Sequence, residues 1–148
     1  MVTNDKLVEV LEEILEKNRD AEKGYKKAAE NADGAALRSY FERKSSERAN
    51  FCNELKSEMA TAYADFDEDG TFTGTMHRAW MDIKNFFSSD SDEAMLEEAI
   101  RGDKAAVEEY EDVLNDNTLP TRIASIIRDQ KMKIRTDLNN IKTLEDLH

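Results

Sequence analysis

The sequence predicts an all-α fold: four long helices packed as one bundle, with a long connection between the second and third that holds a short helix of its own. Three observations predict it. Four segments each carry apolar residues at alternating steps of four and three, the mark of a helix face turned towards a core. The composition, with 36% charged residues, five glycines and one proline, is that of long solvated helices. Near the middle of each segment the apolar seam is broken by a polar residue, Asn18, Arg48, Asp103 or Gln130. Breaks at matching heights predict one polar layer across the waist of a bundle.

Helix one is expected from about Asn4 to Asn31, with Leu7, Leu11, Ile14, Asn18, Ala21, Tyr25, Ala28 and Ala32 along its seam. A second row, Val8, Leu15, Glu22 and Ala29, widens the buried face and turns Glu22 inward. Asn31-Ala32-Asp33-Gly34 is a tight turn in which Asp33 can cap the next helix. Helix two, about Ala35 to Ala62, carries Phe41, Ser45, Arg48, Cys52, Leu55 and Met59, with Leu37, Lys44 and Phe51 beside them. By phase, Lys44 and Arg48 point inward.

Residues 63 to 75 form the one long irregular stretch, and a short helix from about Met76 to Phe87 follows, with Met76, Trp80, Ile83 and Phe87 on one face. Asp90 and Glu93 have the spacing of a reciprocal cap for helix three. That helix is expected from about Asp92 to Leu114, with Leu96, Ile100, Asp103, Val107, Tyr110 and Leu114 as its seam. A side row of Met95, Ala99, Gly102, Ala106 and Val113 can seat the short helix or form a dimer face. Helix four begins near Pro120, which suits a first turn, and carries Ile123, Ile127, Gln130, Ile134, then Asp137 or Leu138, Ile141 and Leu144.

Helices of about 25 residues make a bundle about 35–40 Å tall at 1.5 Å per residue. Tight turns pair helix one with two and helix three with four as antiparallel hairpins. The long connection can carry the chain from one end of the bundle to the other. Helices two and three then run parallel, as in ferritin-like folds.

The whole chain of 148 residues is expected to be one domain with a real core. A net charge of -12 argues against nucleic acid, whose binding is driven by cationic neutralisation, and against an anionic membrane surface. The lone Cys52 permits no intrachain disulfide and sits on an apolar face, as a packed thiol does. Met1-Val2-Thr3-Asn4-Asp5 has neither a basic start nor an apolar run, and no window approaches a membrane span, so a cytoplasmic protein is expected.

Several stretches carry a resemblance: Asp20-Ala-Glu-Lys-Gly-Tyr-Lys-Lys-Ala-Ala-Glu30, Gly74-Thr-Met-His-Arg-Ala-Trp80, Leu96-Glu-Glu-Ala-Ile-Arg-Gly-Asp103 on to Tyr110, and Gln130 with its flanking isoleucines. In this order they cover nearly the whole chain, and Gly-x-x-His-Arg-x-Trp is the most specific. The chain resembles the bacterial ferritin-like four-helix-bundle domains of unknown function, distant relatives of stress-induced ferritin-like proteins. The resemblance implies the fold and a stress association, and no settled activity.

A ferritin-type di-iron centre needs a carboxylate from each of two helices and a Glu-x-x-His pair from each of the others. The two histidines, His77 in the connection and His148 at the last position, belong to no such pair. Helix two offers Lys44 and Arg48 where ligands are needed. Glu22 and Asp103 remain as inward carboxylates, with Asp137 at the edge. Heights predict Glu22 against Lys44 and Arg48 against Asp103, which sum to zero charge. A paired buried charge is tolerated where an unpaired one costs several kcal/mol. The layer Asn18, Glu22, Lys44, Arg48, Asp103 and Gln130 is therefore read as self-neutralised, fixing helix register, with no cofactor. The alternative is a metal-binding or ferroxidase-type protein holding iron or manganese through Glu22, Asp103 and neighbours.

Asp65, Asp67 and Asp69, followed by Gly70, match the first half of a calcium loop, but Met76 stands where the bidentate Glu belongs. A solvated acidic loop is the reading, and weak calcium binding the alternative. His77 is read as packing or capping the short helix, and Tyr25, Tyr110 and Trp80 as core aromatics. No nucleophile stands with His and Asp, and no phosphate-binding glycine loop is present. The expectation is a non-enzymatic bundle, a stress-associated or interaction protein with a homodimer or another protein as partner. The sequence points to no small-molecule substrate.

Overall fold

The computed structural model describes residues 4–63, 66 and 91–147. Within them lie four α-helices, α1 (Asn4–Asn31), α2 (Ala35–Ala62), α3 (Asp92–Asp116) and α4 (Thr121–Asn140), then a 3₁₀ turn at Leu144–Asp146. There is no strand among the described residues. The helices make a four-helix bundle. α1 packs along α2 and α3 along α4, and the two pairs are joined α2 to α4 and α1 to α3.

The interior has two apolar compartments. One gathers Leu7, Leu11, Leu15, Leu55, Met59, Tyr63, Val113, Ile123 and Ile127, where α1 and α4 begin and α2 and α3 end. The other gathers Ala28, Ala32, Leu37, Phe41, Met95, Leu96 and Ala99, at the end holding the α1–α2 turn and the start of α3. Burying each large side chain contributes about 1.5–3 kcal/mol. The buried polar residues Asn18, Lys44, Arg48, Asp103 and Gln130 lie between these compartments along the helices.

The helix ends differ in three places from the sequence reading. The N-cap of α2 is Gly34, with no side-chain cap, so Asp33 does not fill that role. Asp92 of α3 does the work from across the bundle: its carboxylate accepts the Asp33 and Gly34 N–H groups at 2.9 and 2.8 Å. A Cβ on Gly34 would stand 3.2 Å from Asp92 Oδ2, so any larger residue requires this carboxylate to give way by a few tenths of an ångström. At α3 the cap is Ser91, whose hydroxyl accepts the Ala94 N–H at 3.3 Å; the expected cap, Asp90, lies one position earlier and outside the described residues. Asp92 and Glu93 place negative charge in that first turn, where the helix dipole favours it.

The third difference is the end of α4. The seam was read on to Ile141 and Leu144, but the helix stops at Asn140. Asn139 and Asn140 are poor helix formers, and Asp146 Oδ2 accepts the Lys142 and Thr143 N–H groups at 2.8 and 3.0 Å. That local box replaces another helical turn, and Leu144 is left 38% exposed. On α3 the small row divides. Met95 and Ala99 are buried, whereas Gly102 is exposed and a Cβ there meets nothing within 4 Å. No helix among the described residues is long and apolar enough to cross a membrane.

Candidate functional site: a polar layer inside the bundle

Asp103 on α3 is the centre of the layer. Its Oδ1 accepts from Arg48 Nη2 at 2.6 Å and from the Tyr25 hydroxyl at 2.7 Å. Its Oδ2 accepts from Lys44 Nζ at 2.6 Å. Lys44 and Arg48 lie one helical turn apart on α2, so both reach the same carboxylate. The Lys44 ammonium also pairs with Asp137 Oδ2 on α4 at 2.9 Å. Asp137 in turn accepts from Tyr40 at 3.3 Å and from Arg43 at 3.1 Å.

The network continues through neutral groups. Arg48 Nη1 donates to Asn18 Oδ1 at 2.9 Å, and Asn18 Nδ2 donates to the Tyr110 oxygen at 2.8 Å. The Tyr110 hydroxyl donates to Gln130 Oε1 at 2.7 Å. Gln130 Nε2 donates to the Phe51 carbonyl at 3.1 Å and to Glu54 at 3.2 Å. All four helices contribute, so a slip of any one along its axis breaks hydrogen bonds to the others.

The charges balance. Lys44 and Arg48 face Asp103 and Asp137. Arg43 on Asp137 and Glu47, 3.9 Å from Lys44, add one charge of each sign. Burial pushes the Asp103 carboxyl up, but Lys44 and Arg48 together outweigh it and hold the group below the usual carboxylate range. Burial likewise works against the charge on Arg48, yet Asp103 and the tyrosines raise its pKa. Burial raises Tyr25 and Tyr40, helped by Asp103 and Asp137, and pushes Tyr110 up to about 12. All three phenols therefore stay protonated and act as donors.

One expected partner is different. Glu22 does not meet Lys44; Asp137 holds that place. α1 and α2 come close enough at this height for the Ser45 hydroxyl to donate to the Glu22 main-chain carbonyl at 2.8 Å. A long side chain has no room between them, and Glu22 remains half-buried. The inward carboxylates are thus Asp103 and Asp137. Among the described residues no group of three or more His, Cys, Asp or Glu is placed to hold a metal ion. The calcium candidates Asp65, Asp67 and Asp69, with His77, Trp80 and His148, lie outside the described residues.

Sequence reasoning missed three features. Phase alone makes Tyr25 and Tyr110 core aromatics, though a buried phenol needs a hydrogen-bond partner and both sit on seams with polar breaks. Tyr40 was passed over. Asp20 is the largest omission: it is fully buried, and among the described residues neither carboxyl oxygen has a hydrogen bond. Burial pushes its pKa up to about 7, against the pull of Lys23 and Arg19 and with help from Glu16. Its helical phase lies away from the α1 seam, so periodicity gives no sign of it. Cys52 is buried, its sulfur 3.9 Å from the Leu15 carbonyl, and burial raises its thiol above the usual range.

Chemically, the layer is closed but for Arg48 Nε and Glu47 Oε1, which are buried without a hydrogen bond among the described residues. Every oxygen of Asp103 is taken by a cation or a phenol, and the Asn18 and Gln130 amides are spent on Arg48, Tyr110, the Phe51 carbonyl and Glu54.

The sequence matches the family described as Domain of unknown function (DUF2383) over residues 6–116. The chain belongs to the DUF2383 family. The match takes in α1, α2 and α3, and with them every member of the DUF2383 layer except Gln130 and Asp137. No curated protein and no solved structure matches this chain.

Proposed function

We propose that this DUF2383 chain is a non-enzymatic ferritin-like bundle, a stress-associated or interaction protein of the cytoplasm, whose waist carries a self-neutralised polar layer in place of a di-metal centre. The observation that carries the reading is the pair of α2 cations on Asp103, both at 2.6 Å. They occupy the carboxylate that a dication would need, and their charge disfavours one nearby. The layer acts as a register device, a use well attested for buried polar groups.

The ferritin-like arrangement has its own support. α1 begins where α2 and α3 end and α4 begins, as the first apolar compartment indicates. Asp92, at the start of α3, bonds the α1–α2 turn at the other end. Tyr63 caps α2 at one end and Ser91 caps α3 at the other, a separation of about 40 Å at 1.5 Å per residue. Helices α2 and α3 then run parallel. The stress association rests on the sequence resemblance.

Elemental analysis of protein purified aerobically tests the reading. The expected result is iron and manganese far below one per chain. Either metal near stoichiometry overturns it in favour of a metal-binding or ferroxidase-type protein.

A further inference from the structure

Where α3 passes into α4 there is a cleft of about 430 Å³, lined by Leu114, Asn115, Asn117, Leu119, Ala124, Arg128 and Lys131. Its volume falls in the range of small-molecule sites, roughly 300–1,000 Å³. Leu114, Leu119 and Ala124 supply apolar wall. Arg128 and Lys131, neighbours on α4 at a spacing of three, supply a cationic edge. Asn117 spends one amide hydrogen on the Val113 carbonyl, at 3.1 Å, and keeps another.

The two cations differ from the other arginines of their own helix. Net charge is -12, so carboxylates are plentiful. The other α4 arginines have found them: Arg122 pairs with Glu58 at 3.8 Å and Arg135 with Glu111 at 2.8 Å. Among the described residues Arg128 and Lys131 enter no ion pair, and no acidic side chain lines the cleft. Unspent positive charge beside an apolar wall is the pattern that receives an amphipathic anion. Guanidinium prefers a planar, two-oxygen acceptor.

We propose that this cleft binds an organic carboxylate with a short apolar stem, the carboxylate on Arg128 and Lys131 and the stem on Leu114, Leu119 and Ala124. Such a group comes either as a free short-chain acid or as the C-terminus of a peptide ending in an apolar residue. The site is independent of the polar layer and holds whether or not the layer binds metal.

The test titrates the full chain with hexanoate, acetate, N-acetyl-Ala-Leu and the amide of that peptide, following backbone amide NMR signals. Hexanoate or the peptide acid is expected to shift signals of residues 114–131 and to bind at least about tenfold tighter than acetate. Shifts from hexanoate alone identify the free acid as source, and shifts from the peptide acid alone identify a chain terminus; both support the proposal. Arg128→Gln with Lys131→Gln is expected to weaken binding about tenfold or more while leaving thermal unfolding unchanged. The proposal is overturned by no shift up to about 10 mM, by shifts outside the cleft, by equal binding of the amide, or by unaltered binding in the double variant.

Discussion

Arg48→Met is the sharpest perturbation of the polar layer. Methionine keeps most of the volume and removes the guanidinium. Two hydrogen bonds go, one to Asp103 at 2.6 Å and one to Asn18 at 2.9 Å. The layer, balanced before, is left with Arg43 and Lys44 facing Glu47, Asp103 and Asp137. Breaking a buried pair by removing one partner costs about 3–5 kcal/mol, mostly because the surviving charge stays buried. For a domain of this size each kcal/mol moves the midpoint by about 2–4 °C, so a fall of roughly 10 °C is expected. The second arm removes the acid too. Arg48→Met with Asp103→Leu leaves Lys44 on Asp137, and the balance returns. Urea unfolding followed by circular dichroism gives the cycle, with the two losses expected to be less than additive by about 1–3 kcal/mol. A single variant that loses under about 1 kcal/mol, or two losses that simply add, would refute the reasoning, because a compensated buried pair permits neither.

Two further outcomes follow from the same geometry. Asp20 keeps its proton up to about pH 7 in the folded chain, whereas an unfolded one releases it near 3.8. The folded state therefore binds more protons between those values, and stability falls as pH rises through that window and levels off above it. Asp20→Asn lifts the burden. Three pH units are worth about 4 kcal/mol at most. Screening by Lys23, Arg19 and penetrating water brings the expected gain to about 2 kcal/mol at pH 8, with none at pH 3. Urea midpoints of the two proteins at both values decide it, and an Asn variant no more stable in alkali counts against a buried, unpaired carboxyl. Tyr110→Phe deletes the hydroxyl that links Asn18 to Gln130, leaving one donor and one acceptor unmatched. The expected loss is about 1–3 kcal/mol by thermal unfolding, and an unchanged midpoint would place the hydroxyl outside the network.

Much of the architecture is legible in the chain because helical periodicity is a local signal. The seams of α1 and α2 and the turn between them mark both helices closely. The end of α4 is not legible in that way. Ile141 and Leu144 keep the apolar phase, and the helix is stopped by a different local signal, the capping box that Thr143 and Asp146 form at a spacing of three. The site divides along the same line. Arg48 and Asp103 interrupt apolar seams, and phase alone turns them inward. Lys44 and Glu22 both sit on flanking rows, where phase cannot say whether a side chain enters the core, as Lys44 does, or stays half-buried beside the next helix, as Glu22 does. Asp137 and Leu138 compete for one seam position, so the acid that meets Lys44 could be named only as an edge residue. Asp20 lies off every seam, and its burial is a property of the assembled fold.

The clasp between Asp92 and the Asp33–Gly34 amides constrains the route by which the chain acquires its shape. The first two helices can zip together from local contacts, but the bend joining them provides no side-chain cap of its own for α2. Those amides wait for a residue from far along the polypeptide. The tip of the first hairpin is thus expected to stay frayed until the third helix docks, so a local turn becomes a late, long-range event in folding.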